Sequence, residues 1–210
     1  MITATLIGDV VSSRKAEDRA VLHDRLVELL DEVNRTCAPT TPLRITVGDE
    51  FQGGFATVGH ALQASLRLRL GLMPEHDARH GLGWGEVTVL QDEPRVEDGP
   101  GWWAARDAIH EVQQSQEHPG TRFRRTVYRA AEGAEGPDPD LVDAALVLRD
   151  AAVGSLAERS LSVLRGLLAG QTQRDLAESL GISPSAVSQR VRSDGLAALV
   201  AADTGLGRVS

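Results

Sequence analysis

The chain has 210 residues, 41% hydrophobic and 25% charged, with a formal net charge of −8 and one cysteine, Cys37. That length suits a core domain with a small appendage, and one cysteine excludes an internal disulfide or a cysteine-based metal framework. No apolar run reaches the length of a membrane span, and MITATLIGDVV lacks the basic flank and cleavage site of a secretory signal, so a cytoplasmic protein with no membrane partner is expected.

Residues 3–11 run apolar (Ala4, Leu6, Ile7) to Gly8-Asp9, the pattern of a buried strand delivering a carboxylate to its end. Over 16–35, Leu22, Leu26, Leu29, Leu30 and Val33 recur on one helical face, and Pro39 and Pro42 lie beyond its end. Strands over 44–47 and 51–56 are joined at Gly48-Asp49-Glu50, which puts Asp49 and Glu50 at a hairpin tip. Leu62, Leu66, Leu70 and Met73 mark a helix over 58–73 that Pro74 stops. A strand over 81–90, a loop QDEPRVEDGPG, a helix over 102–116 and a strand over 122–128 follow. The order β-α-β-β-α-β-α-β predicts an α/β (α+β) sandwich with helices on one face of a mostly antiparallel sheet. AAEGAEGPDPD has linker composition and 141–152 reads as a connecting helix, which divides the chain into 1–131, 132–154 and 155–210.

The last of these carries six arginines and five acids, so it is near +1 while the rest is near −9. Leu161, Leu164 and Leu168 make the seam of a helix ending at Gly170. A second helix, 173–180, turns Leu176, Ala177 and Leu180 inward; Gly181 and Ile182 form a turn, and Ser183 caps a third helix opening at Pro184. Val187 and Val191 of the third helix face inward, leaving Ser185, Ser188, Gln189 and Arg192 outward. Gln pairs with adenine, Arg with guanine or phosphate, and Ser with either. A small all-α helix-turn-helix domain reading double-stranded DNA through Gln173, Ser183, Ser185, Ser188, Gln189 and Arg192 is therefore expected. The competing reading is a three-helix bundle used only for packing or protein contact. A near-neutral reader on an acidic body binds DNA weakly alone, which predicts a homodimer. The segment resembles the helix-turn-helix of sigma-factor region four, response regulators and related repressors.

Asp9 and Asp49 converge if their strands are neighbours, and two converging carboxylates suit Mg²⁺ with nucleotide phosphates; each is also ordinary strand-end or turn chemistry. Ile7-Gly8-Asp9-Val10-Val11-Ser12-Ser13-Arg14 and Val47-Gly48-Asp49-Glu50-Phe51-Gln52 resemble the SatD family, and also the palm-type core of class III nucleotidyl cyclases and GGDEF diguanylate cyclases. Gly83-Trp84-Gly85-Glu86 is similar to the cyclase strand G-I-H-T-G-E, and the stretch from Gly99 to Arg106 to its helix G-P-x-V-N-x-A-A-R, so that the resemblance spans 1–129. It implies a ferredoxin-like palm in which Asp9 and Asp49 hold the metal, the Val10 carbonyl assists, Glu50 stands beside them and Arg106 steadies phosphate. Arg14 is placed to meet a phosphate at the next helix start.

Trp102 stands where the cyclase asparagine belongs, Ile45 beside Arg44 where a base-selecting lysine belongs, and Val47 where GGDEF has its first glycine. Losing a positioned amide and a lysine removes transition-state contacts, so no catalytic residue is assigned. The sequence thus predicts a DNA-binding transcriptional regulator whose degenerate cyclase-like domain senses a nucleotide with Mg²⁺. The alternative is a cyclase-like enzyme acting on nucleoside triphosphates and tethered to DNA by its helix-turn-helix.

Overall fold

The computed structural model describes residues 1–11 and 18–210. In chain order its first elements are β1 (Ile2–Val10), α1 (Arg19–Cys37), β2 (Thr41–Val47), β3 (Glu50–Phe55), α2 (Val58–Leu72), β4 (Ala78–Glu86), β5 (Thr88–Gln91) and β6 (Val96–Asp98). Then come α3 (Pro100–Ser115), β7 (Thr126–Ala130), α4 (Pro139–Gly154), α5 (Glu158–Leu168), α6 (Gln173–Ser179), α7 (Pro184–Ser193) and α8 (Leu196–Leu206). The fold is a mixed α+β sandwich. Its main sheet has the order β2-β3-β1-β4-β7, antiparallel throughout except for the parallel β4–β7 pair.

The expected order of elements is present, with two additions. The strand over 81–90 breaks near Val87, and its second part pairs with β6 as a hairpin inside the acidic stretch that reads as a loop. A further helix, α8, closes the C-terminal bundle.

Side chains alternate across a strand, and here that alternation separates two cores. Ala4, Leu6 and Val10 of β1 join Phe51, Phe55, Leu26 and Leu62 beneath α1 and α2. Ile7 points the other way and packs with Trp102, Ala105 and Ile109 of α3. Helices therefore cover both faces of the sheet rather than one. The reason lies in Gly81, Gly83 and Gly85, alternate residues of β4: a Cβ at any of them would run into backbone atoms of α3. Three bare positions on one face let the helix backbone settle directly onto the strand.

α4 is fastened to the sheet by charge as well as by Val142 and Leu146. Asp150, fully buried, accepts the backbone N–H groups of Arg125 and Thr126, each at 2.7 Å, and Arg69 of α2 at 3.1 Å. Arg69 also donates to Asp77 at 2.8 Å. Arg149, also buried, donates to the Leu62 carbonyl, Ser65 and Thr126. A buried charge persists only with such partners.

α5 to α8 pack on the far side of α2, where Leu66 and Leu70 share a core with Leu161, Leu164, Leu176, Val187 and Leu196. Asp203 of α8 accepts from Gln63 and Arg67 of α2, and Gly59 donates to the Val209 carbonyl at 2.8 Å. Leu180, expected inward, is 38% exposed; α6 stops at Ser179 and Ile182 is the turn residue packed against the core. Among the described residues no helix is long and apolar enough to cross a membrane.

Candidate functional site

The residues of the two glycine–aspartate motifs have separate physical roles. Gly8 has no room for a side chain, because a Cβ there would enter the ring of Phe51, with His80 on the other side. Gly48 has φ +65°, a left-handed turn conformation that glycine adopts without strain. Phe51, fully buried, fills the space above Gly8 and meets the His80 ring edge-on at 5.9 Å.

Asp9 is at an odd position of β1 and so projects toward α3. Its strand partner across the antiparallel pair is Arg79 of β4, and the guanidinium closes on the carboxylate with Nε at 2.7 Å and Nη2 at 2.8 Å. Gln113 of α3 donates to the same carboxylate at 3.2 Å, and Arg79 Nη1 donates to Gln116. Asp49, in the turn between β2 and β3, accepts the backbone N–H of Val10 at 3.1 Å. The hairpin tip thus lies against the end of β1, where the N–H of Val10 bonds to Asp49.

Both acids are brought to the same strand end, each with a donor already in place. Both oxygens of Asp9 face a cation of the protein itself. Among the described residues no group of three or more His, Cys, Asp or Glu side chains is arranged to hold a metal ion. As arranged, this donor set does not fit Mg²⁺, which requires free carboxylate oxygens in a near-octahedral shell.

Glu50 and Arg106 form a second two-toothed pair at 2.7 and 2.8 Å, with the Thr46 hydroxyl on the Glu50 carbonyl at 3.2 Å. Hydrogen bonding to Arg106 holds the Glu50 carboxyl below its ordinary range, and Glu50, helped by the charge of Asp9, raises Arg106 in turn. The four residues Asp9, Arg79, Glu50 and Arg106 therefore make alternating charges at one end of the sheet. Trp102, expected in place of the cyclase asparagine, is 8% exposed and packs with Ile7 and Val87; its indole N–H is buried without a hydrogen-bond partner. Trp103 is exposed and donates to Asp98 at 2.8 Å.

A cavity of about 310 Å³ lies beside Asp49, lined by Arg19, Ala20, Leu22, His23, Leu26 and Gly48 at the start of α1. Arg14, expected to meet a phosphate near this helix start, lies outside the described residues.

In the C-terminal bundle, Thr172 and Asp175 cap α6 reciprocally, and Ser183 caps α7 by accepting the Ala186 N–H at 3.1 Å. Gln173 and Ser183 are exposed. On α7, Ser185, Gln189 and Arg192 are exposed and follow one helical stripe, Ser188 is half-buried, and Val187 is fully buried.

Sequence reasoning missed Arg79 and Gln113. The one available signal, and only for Arg79, was a charge near the start of a strand rich in glycine and apolar residues. His80 is fully buried without a hydrogen-bond partner. Burial, with Arg149 and Arg69 nearby, pushes its pKa down to about 3.

Distant likenesses of fold exist among solved structures. A bacterial light-regulated adenylyl cyclase is 12% identical with a TM-score of 0.48, over 61% of this chain but only 43% of that one. The catalytic core of a rhodopsin-guanylyl cyclase with converted specificity, in complex with ATPαS, is 16% identical over 52% of this chain and 71% of that one, TM-score 0.44. An adenylate/guanylate cyclase/hydrolase from Silicibacter pomeroyi is 22% identical over 51% and 68%, TM-score 0.41. No curated protein matches the sequence. The SatD family model, by contrast, matches residues 3–204. It runs from the first strand into α8 and takes in the C-terminal helices together with the sheet. The chain belongs to the SatD family.

Proposed function

We propose that this protein is a ligand-responsive DNA-binding regulator acting in the cytoplasm as a homodimer. Residues 155–210 are the reader, 1–131 the sensor and 132–154 the link between them. The observation that carries the reading is the stripe Ser185, Gln189 and Arg192, exposed on α7 while the opposite face of that helix is anchored by Val187. α6 and the Gly181 turn stand behind it, as a helix-turn-helix requires, and Gln173 and Ser183 at the two helix starts supply phosphate contacts. With a net charge of −8, one copy repels DNA at long range, so two readers spanning half-sites about 34 Å apart give the affinity.

The sensed ligand is a nucleotide in the cavity beside Asp49, with Arg19 and His23 of its lining as the phosphate contacts. The Mg²⁺ that the motifs imply is not required in this reading, because Arg79 already supplies the positive charge at Asp9. The buried Trp102 speaks against the cyclase alternative, since the position offers no amide to a transition state.

The test is selection of a bound duplex from random DNA by the full chain, followed by mobility-shift titration of wild type and a Gln189→Ala, Arg192→Ala double variant. Wild type retards the selected duplex with strong salt dependence. The variant loses about tenfold or more in affinity, as expected for removal of base-edge contacts, with its melting temperature unchanged. Equal affinity in the two proteins would remove α7 from the role of reader.

A further inference from the structure

A groove of about 370 Å³ opens between α1, α2 and α5, away from the acidic strand end. Its floor is apolar: Leu29, Val33 and Leu70 are buried, and Leu168, the last residue of α5, is half-buried. Its walls carry Arg25, Arg67 and Arg165, with Glu32 the acid among the lining residues; Arg25 also faces Glu28 at 3.7 Å and Arg67 faces Asp203 at 3.3 Å. Arg165 is the one of the three without a carboxylate among the described residues.

The carbonyls of α2 and its end hold all three guanidiniums. Arg25 donates to the Gly71 carbonyl at 3.1 Å, and Arg67 to the Gln63 carbonyl at 2.9 Å, with Asp203 at 3.3 Å. Arg165 donates to the carbonyls of Leu70 and Met73, each at 2.8 Å, and to the Ser162 hydroxyl at 3.1 Å. Among the described residues Arg165 has no carboxylate partner. Carbonyls orient a guanidinium without neutralising it, so a full positive charge stands at the edge of the apolar floor.

We propose that this groove binds an amphipathic organic anion, a carboxylate carried on an apolar chain. Arg165 Nη1 uses its donors on the two carbonyls, so a planar carboxylate meets the remaining N–H groups on the Nε and Nη2 side, and the chain lies along Leu29, Val33, Leu70 and Leu168. Glu32 on the wall disfavours a dianion such as a phosphate ester, and the volume is at the small end of ligand pockets, which run from about 300 Å³ upward. The ligand touches Leu168 and Ala169 immediately before Gly170, whose φ of +80° turns the chain into α6. Occupancy is thereby felt at the joint between α5 and the rest of the C-terminal bundle. This site is independent of the nucleotide reading.

Titration calorimetry of the full chain with octanoate, 1-octanol and inorganic phosphate tests it. Octanoate binds with one site per chain, and octanol and phosphate each bind about tenfold more weakly or worse, since each lacks one half of the recognition. Leu168→Glu, which sets a carboxylate in the groove at a half-buried position, abolishes octanoate binding. Arg25→Glu, at a half-exposed position, weakens it by about tenfold, and unchanged melting temperatures show that both variants fold. Absence of octanoate binding, equal binding of octanol, preferential binding of phosphate, or undiminished octanoate binding in both folded variants would overturn the proposal.

Discussion

Arg79 and Asp9, partners across β4 and β1, meet through two parallel hydrogen bonds of 2.7 and 2.8 Å at the strand end where the cyclase-like motifs imply a metal ion. The side chains are 19% and 16% exposed, so removing one leaves the other largely desolvated. Asp9→Ala should cost about 2 kcal/mol in urea denaturation, the scale of a lost charge-assisted hydrogen bond. Millimolar Mg²⁺ should leave the wild-type melting temperature unchanged. In Arg79→Ala, Asp9 loses its cation, and Mg²⁺ should then raise the melting temperature. A wild-type protein already stabilised by Mg²⁺ would show that the pair opens readily and that the metal competes with Arg79.

The neighbouring pair, Glu50 and Arg106, gives a pH dependence of definite sign. The folded carboxyl is held below its ordinary 4.5 by Arg106, so the pair stabilises the fold above that value, and the contribution disappears as pH falls through the lowered folded pKa. Both side chains are about a third exposed, which keeps the effect under about 1 kcal/mol. Glu50→Gln should be less stable than wild type at neutral pH and approach it in acid. A constant difference across that range would mean that packing, not charge, links the two residues.

His80 contributes at milder acidity. In the unfolded chain its imidazole takes up a proton below about 6.5, whereas the buried ring resists until about 3. The unfolded state therefore binds the extra proton in this window, and folding stability falls as pH drops from 6.5 toward 3. The slope for one proton is about 1.4 kcal/mol per pH unit. His80→Leu should flatten the loss of urea stability between neutral pH and pH 5, whatever it does to the absolute level. An unaltered slope would assign the acid sensitivity to other groups.

Much of this architecture was legible because it follows from periodicity. The leucines of α1 and α2, the proline and glycine stops, and the Gly48 turn lie where the pattern puts them, since burial on one face and backbone sterics decide them locally. The second covered face and the partner of Asp9 were not legible. Both depend on strand register: only when Asp9 is set opposite Arg79 does the acid find its guanidinium, and only with Gly81, Gly83 and Gly85 on one face does α3 have a seat. β6 escaped notice because its acidic, glycine-flanked residues have loop composition, and its pairing with β5 is specified by neither alone. Leu180 differs for a simpler reason: the helical period in the sequence continues one residue past the end of α6.

Gly8 allows a test of the motif's structural half. A methyl group there would enter the Phe51 ring in a region with no free volume. Gly8→Ala should destabilise the fold by about 1–3 kcal/mol, the cost of overpacking a core. Gly8→Ala combined with Phe51→Leu should recover part of that loss, because the smaller side chain vacates the space. Failure of the pair to recover would point to backbone conformation rather than volume as the reason for glycine.

The C-terminal bundle and the sheet share α2, and this sets how the chain unfolds. Leu66 and Leu70 are 1% exposed, but the side chains around them come from the bundle, including Leu161, Leu164, Leu176, Val187 and Leu196. Asp203 adds an ion pair to Arg67 of the same helix, its side chain 5% exposed. A chain ending at Gly154 would therefore open both leucines to water, at about 1.5–3 kcal/mol for each apolar side chain exposed. That loss is a large part of the stability of an ordinary domain. The full chain should unfold in a single calorimetric transition, with the 1–154 fragment melting well below it. Two separated transitions in the full chain, one of them at the melting temperature of the fragment, would instead mean that the bundle and the sheet fold independently and that α2 merely lies between them.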